Sequence, residues 1–379
     1  MNRRTLVSTV VVLTVITCLF AIPSFAQVRP EKQSLADKEF TIINEVWRTP
    51  AKPQGRTGTC WCFSTTSFLE SEAYRLGRGE YNLSEIHTVY YAYLEKADRF
   101  IRLHGNNAAG EGGLSHDVFY IARKFGLVRK SDYDGFLPDA DKRHNHSEMY
   151  SAFKGLIDGI VDNNRNRPSY NWPNALKGIL NAYIGAVPEK INYDGADMTP
   201  KQFADGVLNL PLDDYVEITS YSYMPCCKKG ELLIPDNWMH YDDFYNVPID
   251  AYIKIIDNAL SNGYSVVFDL DVGAPTFNSS VGQAFVEEDS NGGVVDQKQR
   301  DTLFDSWGTQ DHHLEHAVGI AKDEKGATWY LVKDSGGKER GPFEGHEYFS
   351  ENFVRAKVLF IVLHKDGIPA DIKAKLGID

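Results

Sequence analysis

The spacing of apolar residues changes partway along this 379-residue chain, and this change constrains the fold more than any other feature. Between Cys60 and Phe125, apolar residues recur at helical spacing, and glycines follow where each run ends. From Tyr264 onward they alternate or form short continuous runs, as in half-buried and buried strands. A helical front half followed by a strand-rich back half predicts an α+β fold rather than alternating parallel units.

The same pattern gives approximate limits for the individual elements. Proline and glycine mark several ends, such as Pro248 in the first turn of a helix that Gly263 terminates. The predicted helices cover Cys60 to about Gly77, Ser84–Leu103, Ser115–Phe125 and Pro248–Leu260, and the predicted strands cover Tyr264–Asp271, His316–Lys322, Thr328–Lys333 and Val358–His364.

The predicted domain covers residues 46–365 and has two lobes. A helical lobe runs from about 46 to 180 and a β-rich lobe from about 246 to 365. Residues within about 137–245 lack a clear period, so they are interpreted as an irregular insertion with some helix. A flexible polar lead-in, residues 27–45, precedes the domain, and a polar C-terminal tail, residues 366–379, follows it.

The first 26 residues have the features of an export signal peptide. Arg3 and Arg4 precede an apolar stretch, and Ser24-Phe25-Ala26 offers a small-x-small cleavage pattern. The apolar stretch is shorter than the ~20 residues that a spanning helix needs. We therefore expect cleavage, a periplasmic or extracellular mature chain and no stable membrane span. An uncleaved anchor or a lipid on Cys18 is the alternative.

Charge and cysteine content narrow the function classes. Removal of residues 1–26, which hold two arginines and no acids, changes the formal net charge from −12 to −14. Such a surface repels phosphate backbones, so we expect no nucleic-acid partner. The four remaining cysteines, Cys60, Cys62, Cys226 and Cys227, form two tight pairs unlike a disulfide framework. The second pair has no further ligand at metal-binding spacing, so buried or oxidised thiols are expected there.

Cys60 is the strongest candidate for chemistry. It begins a predicted helix, where unpaired backbone N–H groups and the helix dipole favour a thiolate. Gly55 and Gly58 leave the backbone open to a substrate, and the side-chain amide of Gln54 can donate to an oxyanion alongside the Cys60 N–H. The alternative is a buried thiol without function, which is the more common fate of a lone cysteine.

The predicted hairpin selects a histidine base. If Asp323–Gly326 is the turn, His316 lies opposite Lys333 or Asp334, where cross-strand Cβ atoms are roughly 4.5–5.5 Å apart. An acid there can accept the Nδ1–H of His316 and direct its other nitrogen toward a nucleophile. His316 is therefore the predicted base and Asp334 its orienting acid. A slip of one residue would put Asp334 on the other face.

Two other histidine pairs, His312-His313 and His144/His146, could be metal ligands. Adjacent histidines point in opposite directions on a strand, and no third ligand is evident nearby in the sequence. Both pairs are interpreted as solvated loop residues. We expect neither a metal nor a cofactor.

The segment from Thr49 to Phe63, TPAKPQGRTGTCWCF, is similar to the active-site segment of papain-like cysteine peptidases. A glutamine six residues before a Cys-Trp-x-Phe run, with a distant His-Ala-Val strand, is a specific combination. The chain most resembles the branch of bleomycin hydrolase and bacterial aminopeptidase C. Further similar segments follow in the same order: Leu69-Glu70-Ser71-Glu72, Leu83-Ser84, Gly112-Gly113, Asn246-Val247-Pro248, Glu315-His316-Ala317-Val318 and Val332-Lys333-Asp334-Ser335.

The resemblance implies a papain-like two-lobed fold that hydrolyses peptide substrates through a thioester on Cys60, without a cofactor. It implies His316 as the base and Gln54 as an oxyanion donor. Asp334 falls where the family has a histidine-orienting asparagine. Gly112 and Gly113 match the glycine pair that hydrogen-bonds the substrate backbone. Members of this branch also suggest a homo-oligomer.

Two departures from the family pattern bear on activity: Asp334 replaces asparagine, and Gly336 stands where the family has a shielding tryptophan. The predicted function is an exported aminopeptidase. The alternatives are a catalytically weak peptide-binding relative, an endopeptidase, or an acyl transferase that uses the same site. In the branch, a C-terminal arm lies in the cleft and meets the substrate amine. Residues 366–379 have the length of an arm but lack its apolar end, so packing on the surface is the alternative.

Overall fold

The structure is a computed structural model that describes residues 38–379 except 139, 164–166 and 276. The predicted export signal and residues 27–37 of the predicted lead-in lie outside the described residues. Across the described ranges, no helix combines the length and the apolar character needed to cross a membrane.

Helices dominate the first half of the described chain and strands the second, which confirms the predicted α+β class. The helices are α1 (Cys60–Arg75), α2 (Glu85–Arg102), α3 (Ser115–Phe125), α4 (Ser147–Asp162), α5 (Trp172–Ile184), α6 (Pro200–Gln202), α7 (Ile249–Ser261), α8 (Glu287–Asn291), α9 (Gln297–Asp305), α10 (Glu351–Lys357) and α11 (Ala370–Leu376). The strands are β1 (Phe40–Glu45), β2 (Ile191–Tyr193), β3 (Ala196–Met198), β4 (Tyr215–Thr219), β5 (Lys229–Gly230), β6 (Phe244–Asn246), β7 (Val266–Leu270), β8 (Phe277–Asn278), β9 (Gln283–Ala284), β10 (His313–Asp323), β11 (Thr328–Lys333), β12 (His346–Ser350) and β13 (Val358–His364).

Most of the described strands form one sheet, in the order β5-β6-β4-β13-β7-β10-β11-β12-β9-β8, and β1 is added beside β10. The long strand β10 lies at the centre of this order and pairs antiparallel with β7, β11 and β1. Parallel pairing is found where β4 meets β6 and where β12 meets β9. The start of β10 therefore lies beside β7, and at His316 and Ala317 the strand lies between β7 and β11.

Each face of the sheet has its own core. The larger core joins α1–α5 to the sheet and holds Trp61 and Phe68 with Val267 of β7. The second core lies under α7, α10 and α11 and holds Phe268, the next residue of β7, with Ile372. Neighbouring strand residues point to opposite faces, so the alternation along β7 separates the two cores. A fully buried side chain of this kind contributes about 1.5–3 kcal/mol to folding.

Helix α1 lies between the helical lobe and the sheet and is buried on every side. Its residues from Cys60 to Ala73 are all buried, including Ser64, Thr65 and Glu70. Small and hydroxyl-bearing side chains on this helix allow close packing, since Ser64 donates back to the Cys60 carbonyl at 3.1 Å. The central position of α1 fixes the location of its first residue, Cys60.

The structure corrects three expectations about irregular segments. Part of the predicted flexible lead-in is strand β1, which pairs with the second half of β10. Part of the predicted irregular insertion is strand β4, which pairs with β13 in the main sheet. The predicted C-terminal tail does not enter a cleft: Ile372 and Leu376 of α11 pack in the core under α7, and Asn258 of α7 binds the Gly367 carbonyl at 2.8 Å.

Candidate active site

Cys60 is the first residue of α1, as the sequence predicted. Its side chain is only slightly exposed, and the preceding Thr59 is fully buried. The first N–H groups of an α-helix have no partner within the helix, so they favour a negative charge at this position. The thiol of Cys60 therefore lies at the positive end of the α1 dipole.

His313, the first residue of β10, is the histidine that contacts Cys60. Its side chain is close enough to the Cys60 thiol to interact with it directly, and its Nε2 lies 2.8 Å from Oδ1 of Asp334. Burial opposes the imidazolium form, but the negative charges of Cys60 and Asp334 outweigh burial and raise the pKa of His313 well above its ordinary value. The geometry thus favours a thiolate–imidazolium pair.

Asp334 follows the end of β11 and is almost fully buried beside His313. Its second oxygen, Oδ2, accepts from the Gly336 N–H at 3.0 Å and lies 3.1 Å from Nε of Arg340. Burial alone would raise the pKa of Asp334, but the hydrogen bond and charge of His313 and the charge of Arg340 lower it. Asp334 is therefore a carboxylate that orients the His313 ring.

His316 lies three residues further along β10, in a different environment. Its Nδ1 is 2.8 Å from the Ser67 hydroxyl of α1, and Lys333 Nζ donates to the same hydroxyl at 2.7 Å. Burial, and then the positive charge of Lys333, hold the pKa of His316 well below its ordinary value. His316 is a neutral, fully buried side chain bound to α1. The prediction of His316 as the base, with Asp334 as its acid, is wrong.

The strand register explains the error. The predicted pairing of His316 with Lys333 is present, and residues directly opposite each other share a face of the sheet. The next residue, Asp334, therefore belongs to the other face, where side chains of His313, Glu315 and Asp334 bring their polar atoms within 4.8 Å of one another. The histidine beside Asp334 is His313, three residues before His316, and it belongs to the His312-His313 pair that was interpreted as solvated.

Gln54 is held against the residue that follows Asp334. Its side-chain oxygen accepts from the Ser335 hydroxyl at 2.5 Å, its backbone N–H donates to the Ser335 carbonyl at 2.8 Å, and its side-chain Nε2 donates to the Thr57 carbonyl at 2.7 Å. Gln54, His313 and Asp334 line the same cleft of about 720 Å³. The structure thus places Gln54 beside the His313 pair, and its role as an oxyanion donor stays a prediction.

Two models of known peptidase families match this chain. Residues 189–378, half of the chain, match the model of the Peptidase C1-like family, and residues 39–207 match that of the papain family of cysteine proteases. The chain belongs to the Peptidase C1-like family. The two matches together span both the Cys60 segment and the His313 strand, and they confirm the papain-like resemblance.

Individual relatives cover different parts of the chain. A senescence-specific cysteine protease from Oryza sativa (SAG39) is 30% identical over 168 residues, which cover 43% of this chain and 42% of the relative. The chain thus spans less than half the length of that relative. Aminopeptidase G from Lactobacillus delbrueckii is 22% identical over 369 residues, which cover 84% of this chain and 81% of the relative.

A solved structure agrees with the fold over most of the chain. The crystal structure of PepW from Lactobacillus rhamnosis superimposes with a TM-score of 0.69 at 17% identity and covers 89% of this chain and 84% of PepW. This match confirms the predicted papain-like fold. The similarity to aminopeptidase G supports the predicted branch of the C1-like family.

The predicted glycine pair of this C1-like protein lies near Cys60 but is partly covered. The Gly112 carbonyl accepts from the buried Lys96, and a side chain on Gly112 would collide with the carboxylate of Asp236. A side chain on Gly113 would meet Trp61, the residue after Cys60. Neither position could hold a larger residue without a collision, so both must be glycine. Binding of a substrate backbone there stays a prediction.

Gly336, which stands in place of the family's tryptophan, makes room for another side chain. A Cβ on Gly336 would collide with Cδ of Arg340, so Arg340 lies in the space that a larger residue would fill. From there its Nε meets Asp334 and its Nη2 donates to the Ser279 hydroxyl at 3.1 Å. Arg340 therefore covers the Asp334 carboxylate. The sequence showed the missing tryptophan but gave no signal for its substitute.

Glu315 is a further buried carboxyl beside His313, with Oε1 3.7 Å from Nε2. Burial, together with the charges of Glu347 and Asp334, raises its pKa well above the ordinary value, so it is a neutral acid. Glu315, His313 and Asp334 are the described residues that could hold a metal ion. A metal needs deprotonated ligands, and His313 and Asp334 already bind each other, so we assign these residues to acid–base chemistry.

Other polar residues differ from their predicted environments. His144 and His146 are buried rather than solvated, and burial lowers their pKa values to about 4 and about 3. Cys226 is exposed, and it and its neighbour Cys227 are free thiols. His144 lines the cleft that also holds Gln54, His313 and Asp334.

Proposed function

We propose that this protein is a cysteine peptidase in which Cys60 is the nucleophile and His313 the acid and base. The observation that carries the proposal is the joint contact of the His313 imidazole with the Cys60 thiol and the Asp334 carboxylate. This arrangement has the three parts of a nucleophile, a base and an orienting group.

The reaction follows from these positions. The Cys60 thiolate attacks the peptide carbonyl carbon, and the carbonyl oxygen becomes an oxyanion. The His313 imidazolium gives its proton to the departing amine, the C–N bond breaks, and a thioester remains on Cys60. His313, now neutral, takes a proton from water as the water attacks the thioester. The acid product then leaves, and the thiolate–imidazolium pair is restored.

Two donors are proposed for the oxyanion: the backbone N–H of Cys60 and the side-chain amide of Gln54. The Gln54 amide carries two N–H groups, and the Thr57 carbonyl accepts from one of them. The second N–H remains for a substrate oxygen. Because Ser335 holds the Gln54 oxygen, the amide orientation is fixed relative to Asp334 and His313.

Among peptidases, we propose aminopeptidase specificity. Aminopeptidase G is similar over 84% of this chain, far more than the 43% that the plant protease covers. The alternative of a catalytically weak relative rested on Asp334 and Gly336. The Arg340 side chain, which covers Asp334 from the space at Gly336, favours a working site.

The test is turnover of a fluorogenic aminoacyl amide by the purified protein, with mass spectrometry of the products after addition of a primary amine. We expect hydrolysis, its loss in Cys60→Ala and its retention in Cys62→Ala. Cys62 is the matched control because its fully buried thiol bonds to the Glu85 carbonyl at 3.2 Å. Amide products in place of acids would instead indicate acyl transfer.

Export is a separate proposal. Its support is the sequence of residues 1–26, with Arg3 and Arg4, the apolar stretch and the pattern that ends at Ala26. N-terminal sequencing of the protein from cell fractions tests it. We expect a mature chain that begins at Gln27 outside the cytoplasm, and a cytoplasmic main form that keeps Met1 would contradict export.

A further inference from the structure

The cleft beside His313 has a basic lining. Its volume of about 720 Å³ lies within the range of about 300–1,000 Å³ that is usual for ligand pockets. Four of the other described residues that line it carry positive charges: Lys142, Arg143, Lys338 and Arg340. The acids among the same described residues are Asp334 and Glu339. The chain as a whole has a net charge of −12, so the cleft is opposite in sign to the chain that contains it.

The lining of the cleft indicates which part of a substrate it holds. Gln54, His313 and the loop of residues 335–340 line it, whereas Cys60 and the predicted glycine pair are not among its described lining residues. In the proposed reaction Cys60 keeps the acyl part of the peptide, and His313 gives its proton to the departing amine. The cleft therefore lies on the side of His313 where the departing part of the peptide is bound.

Arg143 has no acidic partner in the described part of the chain, and its side chain is exposed. The segment that carries it is nevertheless held in place. The carbonyl of His144, the next residue, accepts from the Arg56 N–H at 2.8 Å, and the buried His144 ring stacks on Phe136. A guanidinium group presents a planar fork of N–H donors that can bind a carboxylate through two of them. Arg143 is therefore a cation that is free to bind a carboxylate in the cleft.

Lys142 and Lys338 add positive charge, and their own acidic partners are weak. Nζ of Lys142 lies 3.4 Å from the carboxylate of Asp134, and Nζ of Lys338 lies 3.9 Å from that of Glu339. All four side chains are well exposed, and ion pairs of this kind contribute little in water. Both ammonium groups therefore remain able to attract a ligand. Arg340 differs, because it already binds the carboxylate that orients the imidazole.

The loop that carries Lys338 is a defined wall of the cleft. Its first part is paired with the segment before Cys60, since Pro53 forms an antiparallel bridge with Gly336. Its turn is closed by the Arg340 N–H, which donates to the Gly337 carbonyl at 3.0 Å. A wall that is already ordered loses little conformational entropy when a ligand binds. The basic side chains thus stand on two fixed segments at the same cleft.

We propose that this cleft selects peptides that carry a carboxylate in the departing part, within the first few residues after the cleaved bond. Arg143 and Lys338 bind the carboxylate, and Lys142 adds to the positive potential that attracts it. An aspartate or glutamate side chain and the C-terminal carboxylate of a short peptide offer the same chemistry. The inference rests on the proposed peptidase function and names the class of substrate that the site prefers.

The experiment compares kcat/KM for three peptides that are identical up to the cleaved bond, which mass spectrometry of the products locates. After that bond, one has an aspartate and an amidated C-terminus, one is neutral with a free C-terminal carboxylate, and one is neutral and amidated. We expect at least one carboxylate peptide to exceed the neutral amide by about three- to tenfold at low salt, the size typical of one or two exposed ion pairs. The peptide with the higher value identifies the source of the carboxylate. The difference should shrink at about 0.5 M salt, which screens exposed charges.

The double variant Arg143→Gln, Lys338→Gln should lose the preference for a carboxylate. Lys177→Gln is the matched control, because Lys177 is an exposed lysine of α5 that does not line the cleft, and it should keep the preference. Equal kcat/KM for the three peptides with the wild type, or a preference that persists in the double variant, would overturn the proposal.

Failure of the peptidase function itself would appear as an absence of cleavage of all three peptides. In that case, protection of Cys60 from alkylation by iodoacetamide tests the cleft without turnover. Stronger protection by a carboxylate peptide than by the neutral amide, lost in the double variant, would support the basic cleft as a carboxylate site. Equal protection by all three peptides would overturn it.

Discussion

Two histidines on one strand show how strongly the surroundings determine what a residue can do. His313 and His316 lie three residues apart on β10, on opposite faces. The pKa of His313 is raised by its interactions with Cys60 and Asp334. The pKa of His316 is lowered by burial and by the positive charge of Lys333. The first can hold a proton beside a thiolate and the second cannot. Proton chemistry therefore follows from the charges around an imidazole, not from the sequence pattern that contains it.

The largest expected effect is the difference in activity between two variants that carry the same substitution, one at His313 and one at His316. His313→Gln should lower kcat/KM by about 10²–10⁴-fold, because it removes the group that transfers the proton. His316→Gln should keep kcat/KM within a few-fold of the wild type. Steady-state rates with one fluorogenic substrate measure both variants.

The same two variants should rank in the opposite order by their loss of stability. The buried His316 ring holds the Ser67 hydroxyl, so its loss should lower the free energy of unfolding by about 1–3 kcal/mol. His313→Gln should change it by less. Chemical denaturation of both variants checks this, and a larger stability loss at His313 would contradict the assignment of the two environments.

A smaller effect is expected from the charge of Asp334. Asp334→Asn keeps a hydrogen-bond acceptor for His313 but removes the carboxylate that raises the pKa of the imidazole. The imidazolium should then lose its proton at lower pH, so the basic limb of the pH–rate profile should move to lower pH while activity is retained. Asp366→Asn, in the C-terminal segment, controls for a general loss of one charge, and an unchanged limb in Asp334→Asn would remove Asp334 from its orienting role.

The smallest effect is expected at Arg340. An ion pair with so exposed a partner contributes about 0.2–1 kcal/mol, so Arg340→Ala should lower kcat/KM by less than about tenfold. Lys325→Ala, at the exposed turn of the β10–β11 hairpin, should have no effect. A loss in the Arg340 variant equal to that of His313→Gln would mean that Arg340 does more than cover Asp334.

Much of the fold was predictable from periodicity. The limits of Ser115–Phe125, Thr328–Lys333 and Val358–His364 agree with the structure residue for residue, because glycines and charged turns border strongly periodic runs. Strands β1 and β4 were missed. Tertiary pairing with β10 and β13 determines their conformation, and local sequence carries little trace of it.

The site was predictable in part. Cys60 at a helix start and the pairing of His316 with Lys333 followed from local rules and are present. The choice between His313 and His316 needed the face on which Asp334 lies, and one residue of register reverses that face. The proximity of Asp269, Asp311 and Asp236 could not be predicted, because strand β7 and two separate loops bring these residues together only in the folded chain.

The central claim is that His313, not His316, forms the ion pair with Cys60. The most direct measurement is the rate of Cys60 alkylation by iodoacetamide at pH 6 in the wild type, His313→Gln and His316→Gln, with the modified residue mapped by mass spectrometry. An imidazolium beside the thiol keeps it reactive in mild acid, so the wild type and His316→Gln should react at similar rates and His313→Gln much more slowly. Fast alkylation in His313→Gln together with slow alkylation in His316→Gln would contradict the account.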